Sequence, residues 1–249
     1  MSVEILHGDS LRLVEDMPDA SFDCILTDPP YGETSLGWDR WPDGWPQAVR
    51  RLLKPTGSMW VFGSQRMFFD RFGDFAGWRL AQDVVWEKHN GSGFHADRFK
   101  RVHECAIQFY RDDARWDQVY KAPQFTNDAT ARTLKRKSRP GHTGEIGAAA
   151  YASVDGGPRL MRSVIYARSE HGRAEHPTQK PVAIVEPLLL FACPPGGRVL
   201  DLFAGSGTTG LVARRHGMSA TLIEANADYV ATIHRRLAAD APLFEGMVA

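Results

Sequence analysis

A glycine-rich turn directly after a short apolar strand does most to limit how this chain can fold. In Arg198-Val-Leu-Asp-Leu-Phe-Ala-Gly-Ser-Gly-Thr-Thr-Gly, the residues Gly205, Gly207 and Gly210 follow a run suited to a buried strand, and a helix continues through Leu211 and Ala213. Glycine permits a tight turn there and lets a ligand approach the backbone at the amino end of the helix. Glu224 comes 19 residues after Gly205, at the end of the next predicted strand. A carboxylate in that place can accept hydrogen bonds from both hydroxyls of a ribose. Such a strand–turn–helix–strand unit belongs to an α/β sheet. The spacing also satisfies G-x-G-x-x-G, which makes a dinucleotide a rival ligand. Asp201 counts against that rival, because a negative charge on the strand two residues before Phe203 repels a pyrophosphate and suits a cationic ligand.

The rest of the chain supports one wound sheet. Apolar, β-branched runs alternate with amphipathic stretches. They predict strands at 4–6, 22–27, 58–62, 80–86, 104–110, 198–202 and 220–223, with helices at 46–53, 181–191, 208–215 and 227–238. A length of 249 residues buries one good core and leaves room for one insertion. Cys24, Cys105 and Cys193 lie far apart with no CxxC pair, so neither a disulfide framework nor a zinc site is expected, and a reducing cytoplasm is. Met1-Ser-Val-Glu-Ile shows no secretion signal. The longest apolar stretch, 182–193, is interrupted by Glu186 and Pro187 and is too short to span a bilayer.

The stretch Phe22-Asp-Cys-Ile-Leu-Thr-Asp-Pro-Pro-Tyr-Gly carries the most chemistry. A buried strand ends in the carboxylate of Asp28, Pro29 and Pro30 then stiffen an extended turn, and Tyr31 is presented just beyond it. An aromatic amine is a poor nucleophile because its lone pair is delocalised into the ring. The Asp28 carboxylate and the Pro29 backbone carbonyl can each accept a hydrogen bond from one of its two N–H groups. The nitrogen is thereby drawn towards tetrahedral geometry and its lone pair aimed at an electrophile. Acceptors fixed by proline need no reorganisation during reaction. Tyr31 can stack on a base flipped out of a duplex.

Charge is distributed unevenly. Thirty basic residues balance thirty acidic ones overall, yet residues 88–180 hold 17 Lys and Arg against 10 Asp and Glu, an excess of seven. Within it, periodicity is weak from about 94 to 174, where Arg132, Lys135, Arg136, Lys137 and Arg139 cluster ahead of a Gly/Ala-rich patch. Much of this stretch therefore reads as an irregular insertion.

Asp-Pro-Pro-Tyr placed ahead of Phe-Ala-Gly-Ser-Gly resembles the beta class of DNA amino-methyltransferases that use S-adenosylmethionine (SAM), whose chain is circularly permuted. His7-Gly8-Asp9-Ser10 is similar to that family's N-terminal motif, which sets an aspartate near the adenine ring of SAM. His176-Pro-Thr-Gln-Lys-Pro is similar to the segment lining the cofactor pocket, and Leu53-Lys-Pro-Thr-Gly-Ser to the turn after the catalytic corner. The resemblance covers nearly the whole chain. It implies a Rossmann-like, mostly parallel sheet of seven strands, one of them antiparallel. A catalytic half would fill residues 1–93, a target-recognition insertion 94–174 (with a last core strand near 104–110), and a SAM-binding half 175–249. It also implies catalysis by Asp28, Pro29, Pro30 and Tyr31. SAM would be bound by Asp9, Thr178, Lys180, Asp201, Phe203, Ala204, Gly205, Ser206, Gly207, Thr208, Thr209 and Glu224, and DNA by Arg132, Lys135, Arg136, Lys137 and Arg139, since cationic side chains supply much of the affinity for phosphate.

Adenine N6 is the expected target, because members acting on adenine usually begin the corner with aspartate and cytosine N4 enzymes more often with serine. Methylation of cytosine N4 is the alternative. RNA and protein-amide methyltransferases usually begin it with asparagine and are typically unpermuted. Double-stranded DNA and a second copy of the chain in a homodimer are the expected partners, the protein being either solitary or paired with a separate restriction endonuclease, with no membrane and no metal. Trp38, Trp41 and Trp45 either cover the flipped base or pack locally, and the strand end Trp86-Glu-Lys-His-Asn either touches DNA or is ordinary.

Overall fold

A computed structural model describes residues 2–92, 96–136, 149–170, 172 and 174–240. Two compact units divide the chain, one of residues 1–122 and 163–249, the other of residues 123–162.

The larger unit is built on an eight-stranded sheet. Its strands are β1 (Val3–His7), β2 (Phe22–Thr27), β3 (Leu53–Gly63), β4 (Trp78–Ser92), β5 (Arg101–Arg111), β10 (Val164–Tyr166), β11 (Arg198–Asp201) and β12 (Ser219–Glu224), in spatial order β1-β12-β11-β2-β3-β5-β4-β10. Every pairing is parallel except those of β5, which runs against both β3 and β4. All seven expected strands are present, with the single antiparallel one. The eighth, β10, is a three-residue strand within the stretch read as irregular, and its pairing with Val85–Glu87 of β4 creates it.

Alternation along the strands splits the core in two. Cys24, Leu26, Trp60, Phe62, Val199 and Leu222 face one side, where they meet α4 (Val182–Ala192), α5 (Thr208–Arg215) and Ile233 of α6 (Ala227–Ala239). Their neighbours Ile25, Met59, Val61, Leu200 and Ile223 face the other, against α1 (Ser10–Glu15), α2 (Trp45–Arg50) and α3 (Gln65–Arg71). Central parallel strands covered on both faces must be apolar on both, which is why Cys24–Leu26 of β2 and Met59–Phe62 of β3 are unbroken hydrophobic runs.

The order in which strands are added reverses between β2 and β11, which run parallel. From β2 the sheet grows through β3 towards β5, and from β11 it grows through β12 towards β1. Ligands in open α/β sheets lie at such a switch point, outside the carboxyl ends of the strands.

The smaller unit contains two short antiparallel pairs. One joins β6 (Phe125–Thr126) to β9 (Arg159–Leu160), and the other joins β7 (Arg132–Arg136) to β8 (Ala149–Ser153). It covers part of the 94–174 stretch, of which β5, the core strand expected near 104–110, and β10 belong to the central sheet.

Candidate active site

A cleft of about 740 Å³ opens at the switch point. It is lined by the residues that leave β1 (His7–Ser10), β2 (Asp28–Tyr31), β11 (Asp201–Ser206) and β12 (Glu224–Ala227). The Asp-Pro-Pro-Tyr corner and the glycine turn therefore share one cavity, although 173 residues separate Asp28 from Asp201. Its volume suits an organic ligand of moderate size.

Asp28 follows directly on β2. Its Oδ1 accepts a 2.5 Å hydrogen bond from the Tyr31 hydroxyl, and its Oδ2 accepts one from the Lys180 ammonium. Lys180 Nζ also stands 3.4 Å from Glu104 Oε2, while Lys88 donates to Glu104 Oε1. Four buried or half-buried charges thus alternate in sign from the corner to β4. Burial pushes the Asp28 carboxyl above its ordinary range; Lys180 opposes that rise and Glu104 adds to it. Burial likewise works to raise Glu104, but Lys180 and Lys88 outweigh it and hold that carboxyl low. Burial works to lower Lys180, and its two carboxylate neighbours win, keeping the ammonium charged.

The loop beyond the corner is pinned by Asp39, whose carboxylate accepts hydrogen bonds from the backbone N–H groups of Gly32 (2.9 Å) and Thr34 (2.7 Å). Trp41 and Trp45 pack in the core against Phe75, so local packing is their role, whereas Trp38 is partly exposed and lies 5.6 Å from the His176 ring. At the strand end, Trp86 is buried with its Nε1 donating to Ala167, and Lys88 is engaged by Glu104.

On the glycine side, Gly205 and Gly207 both adopt positive φ (51° and 75°), which an L side chain disfavours. That turn aims the Gly205 N–H at Glu224 Oε2 (2.8 Å), and Asn226 N–H satisfies Oε1 (2.8 Å). Both carboxylate oxygens keep a second lone-pair site. Asp201 is only 4 % exposed and accepts from Thr27 Oγ1 (3.0 Å), Phe203 N–H (3.2 Å) and Thr209 Oγ1 (2.7 Å). It therefore ties the end of β2 to the glycine turn and to α5, and burial pushes its pKa up to about 6. Asp9 caps α1 by accepting from Arg12 N–H (3.0 Å) at the cleft edge. Thr178 lines the cleft beside His176, whose pKa burial, aided by Lys180, drives down to about 4.

All the cofactor-site residues expected from sequence line this cleft except Gly207, which sits in the turn behind it with Ile233 2.8 Å from the place its Cβ would take. Lys180 sends its charged end to Asp28, away from the glycine turn. Asp39 was not singled out from sequence, and neither Glu104 nor Lys88, the latter in the strand end read as touching DNA or ordinary, was expected at this site. The one available signal was Glu104, an acid inside the apolar run Glu104-Cys-Ala-Ile-Gln-Phe. Of the expected DNA-binding residues, Arg132 and Lys135 are exposed on β7 and Arg136 ends that strand, while Lys137 and Arg139 lie outside the described residues.

Sheet order, the direction of β5 and the motif order define the class, a Rossmann-like methyltransferase with its catalytic strands ahead of its cofactor strands. The chain matches the N6_N4_Mtase family of DNA methylases over residues 22–235, and it belongs to that family of DNA amino-methyltransferases. It is 30% identical to the Type II methyltransferase M.HinfI of Haemophilus influenzae, over 94% of this chain and 67% of that protein. It is 26% identical to the Type II methyltransferase M2.LlaDCHI of Lactococcus lactis subsp. cremoris, over 94% and 88%. Among solved structures, the M1.HpyAVI–SAM complex superposes with a TM-score of 0.64 at 25% identity, covering 94% of this chain and 98% of that one. The cytosine-N4-specific PvuII DNA methyltransferase shares the fold at a TM-score of 0.67 and 18% identity, covering 100% and 89%.

Proposed function

We propose that this chain transfers a methyl group from SAM to the N6 amine of adenine in double-stranded DNA, with the base flipped into the cleft. The observation that carries this is the Asp28–Tyr31 corner opening into the same cavity as the Gly205–Thr209 turn. The lining fits SAM better than a dinucleotide. Carboxylates of Asp9, Asp28, Asp39, Glu104, Asp201 and Glu224 outnumber the basic side chains Arg40 and Lys180, an environment that favours a cation and repels a pyrophosphate.

SAM supplies a methyl group made electrophilic by its sulfonium. Asp28 and the Pro29 carbonyl accept the two N–H groups of the adenine amine and orient its lone pair. Tyr31 stacks on the base, with its hydroxyl held by Asp28. Glu224 accepts the ribose hydroxyls, Asp9 lies near the adenine of the cofactor, and Thr178, Asp201 and residues 203–209 complete the pocket. Forming the N–C bond would break the S–C bond of the donor and release S-adenosylhomocysteine. The positive charge gained by the amine is stabilised by a carboxylate accepting its hydrogen bond, and one amine proton then leaves to solvent. The smaller unit, with Arg132, Lys135 and Arg136 and the neighbouring Lys137 and Arg139, recognises the target sequence. By analogy with the family, the enzyme works as a homodimer in a bacterial cytoplasm, alone or beside a separate endonuclease.

Aspartate at the first position of the corner favours adenine over cytosine. Digesting DNA methylated by the pure protein to nucleosides and separating them is the test. N6-methyladenine is expected; N4-methylcytosine alone would replace this reading with the cytosine one, and transfer to RNA but not to duplex DNA would reject both.

A further inference from the structure

The acceptor on which the reaction depends is capped. Both Asp28 oxygens already hold donors, the Tyr31 hydroxyl on one and the Lys180 ammonium on the other. An incoming aromatic amine offers only a neutral N–H, and an ammonium is the stronger partner for a carboxylate. While Lys180 stays in place it also neutralises the charge that makes Asp28 a good acceptor.

Lys180 has a second place to go. Glu104 Oε2 lies 3.4 Å from the same nitrogen, which is within ion-pair reach but long for a hydrogen bond. That oxygen is buried and accepts no hydrogen bond from the described residues. A buried acceptor left unsatisfied is costly, so a donor moving towards it recovers free energy. The other Glu104 oxygen is held by Lys88, whose ammonium lies 4.5 Å from the centre of the Trp86 ring, so the receiving carboxylate is oriented from behind. The Lys180 ammonium also faces the Phe62 and Tyr31 rings, at 5.2 and 5.7 Å. A small swing of the head, with the stem in place, exchanges one carboxylate for the other.

We propose that Lys180 is a two-position cap on Asp28 and that Glu104 receives it, so that arrival of the target amine passes the ammonium across and bares the Asp28 acceptor. Both are positioning residues. No proton changes owner in the exchange and no covalent bond is made or broken. The proposal rests on the role given to Asp28 above.

Single-turnover transfer of labelled methyl from SAM to unmethylated plasmid DNA tests it in four proteins: wild type, Glu104→Gln, Lys180→Met and the double variant. Glu104→Gln preserves shape but removes the receiving charge, so the rate constant should fall about tenfold, the worth of one charge-assisted hydrogen bond. SAM affinity and KM for DNA should stay within about twofold of wild type. Without Lys180 there is no ammonium to pass on, so the same Glu104 change should cost nothing further in the Lys180→Met background. Equal losses in both backgrounds, or none in either, overturn the proposal. A second measurement needs no variant. In a crystal of wild-type protein with sinefungin and a duplex carrying the mapped target, Lys180 should hydrogen-bond Glu104 Oε2; Lys180 still on Asp28 beside a flipped base overturns it. Wild-type protein that methylates no DNA removes the functional reading itself, whereas active wild type with rates indifferent to Glu104 removes only the cap.

Discussion

Two carboxylates that end neighbouring strands differ in what surrounds them, and the difference assigns them separate work. Asp28 meets donors on longer side chains and lies open to the cleft, whereas Asp201 is closed in by three fixed ones. Asp28→Ala should lower methyl transfer at least about 100-fold while leaving SAM affinity nearly intact, because it removes an oriented acceptor and nothing from the glycine turn. Glu224→Ala should do the reverse, weakening SAM binding about tenfold. Calorimetric titration with SAM beside a methyl-transfer assay checks both, and a matching loss in the two measurements would erase the division of labour. Asp201 predicts a pH effect. Its folded pKa of about 6 stands above the ordinary aspartate value of 3.8. Between those values the native protein keeps a proton the unfolded chain has released, so stability falls as pH rises through that window and levels off above it. Asp201→Asn lacks this contribution, while His176 titrates alike in both proteins. The melting-temperature advantage of wild type over the variant should therefore shrink from about pH 4 to about pH 6. An advantage constant with pH would contradict the assignment. Residues carrying their own chemistry within a motif, such as Asp28 and Glu224, were legible from sequence. Glu104 was not, because its partners Lys88 and Lys180 come from β4 and from the segment before α4, and only folding brings them together.

Elements follow the same division between local and borrowed signals. Strands β2, β3 and β11 announced themselves because burial on both faces demands apolar residues along their inner stretches, Cys24–Leu26, Met59–Phe62 and Val199–Leu200. The six-residue helix α1 contains less than two turns of periodicity, and β10 takes its strand character from β4. Neither pattern could be recognised alone. Gly210 shows where close approach overrides propensity. It lies inside α5, where alanine would ordinarily gain about 1 kcal/mol. A Cβ there would stand 2.6 Å from Leu222 Cδ1 and 3.0 Å from Val3 Cγ1, and overpacking of that kind costs about 1–3 kcal/mol. Gly210→Ala should therefore lower stability by about 1 kcal/mol, read as a shifted denaturation midpoint. A more stable variant would show that α5 can lift from β12 and β1 without cost.

At the scale of the whole molecule, the strand expected near 104–110 is β5 of the central sheet, and the compact unit inside the 94–174 stretch is 123–162. The excess of positive charge within 88–180 spans both units. Arg132→Glu with Lys135→Glu should weaken DNA binding and reduce the slope of log affinity against log salt by about 0.9 for each phosphate no longer neutralised. Binding titrations at several salt concentrations measure that slope, and an unchanged slope would move the DNA-binding surface elsewhere.

The sheet is stitched from both ends of the chain. Among the described residues β1 pairs only with β12, β2 needs β11 for one of its edges, and the Thr27–Asp201 hydrogen bond spans 174 residues. Such distant pairings bear the full entropic cost of loop closure before any interaction rewards them. On a ribosome, the early strands must wait with open edges until residues near Glu224 emerge. The cleft at the switch point is thus completed only once β11 and β12 have emerged, and a nascent chain halted after residue 162 would hold the Asp28–Tyr31 corner without the glycine turn that faces it.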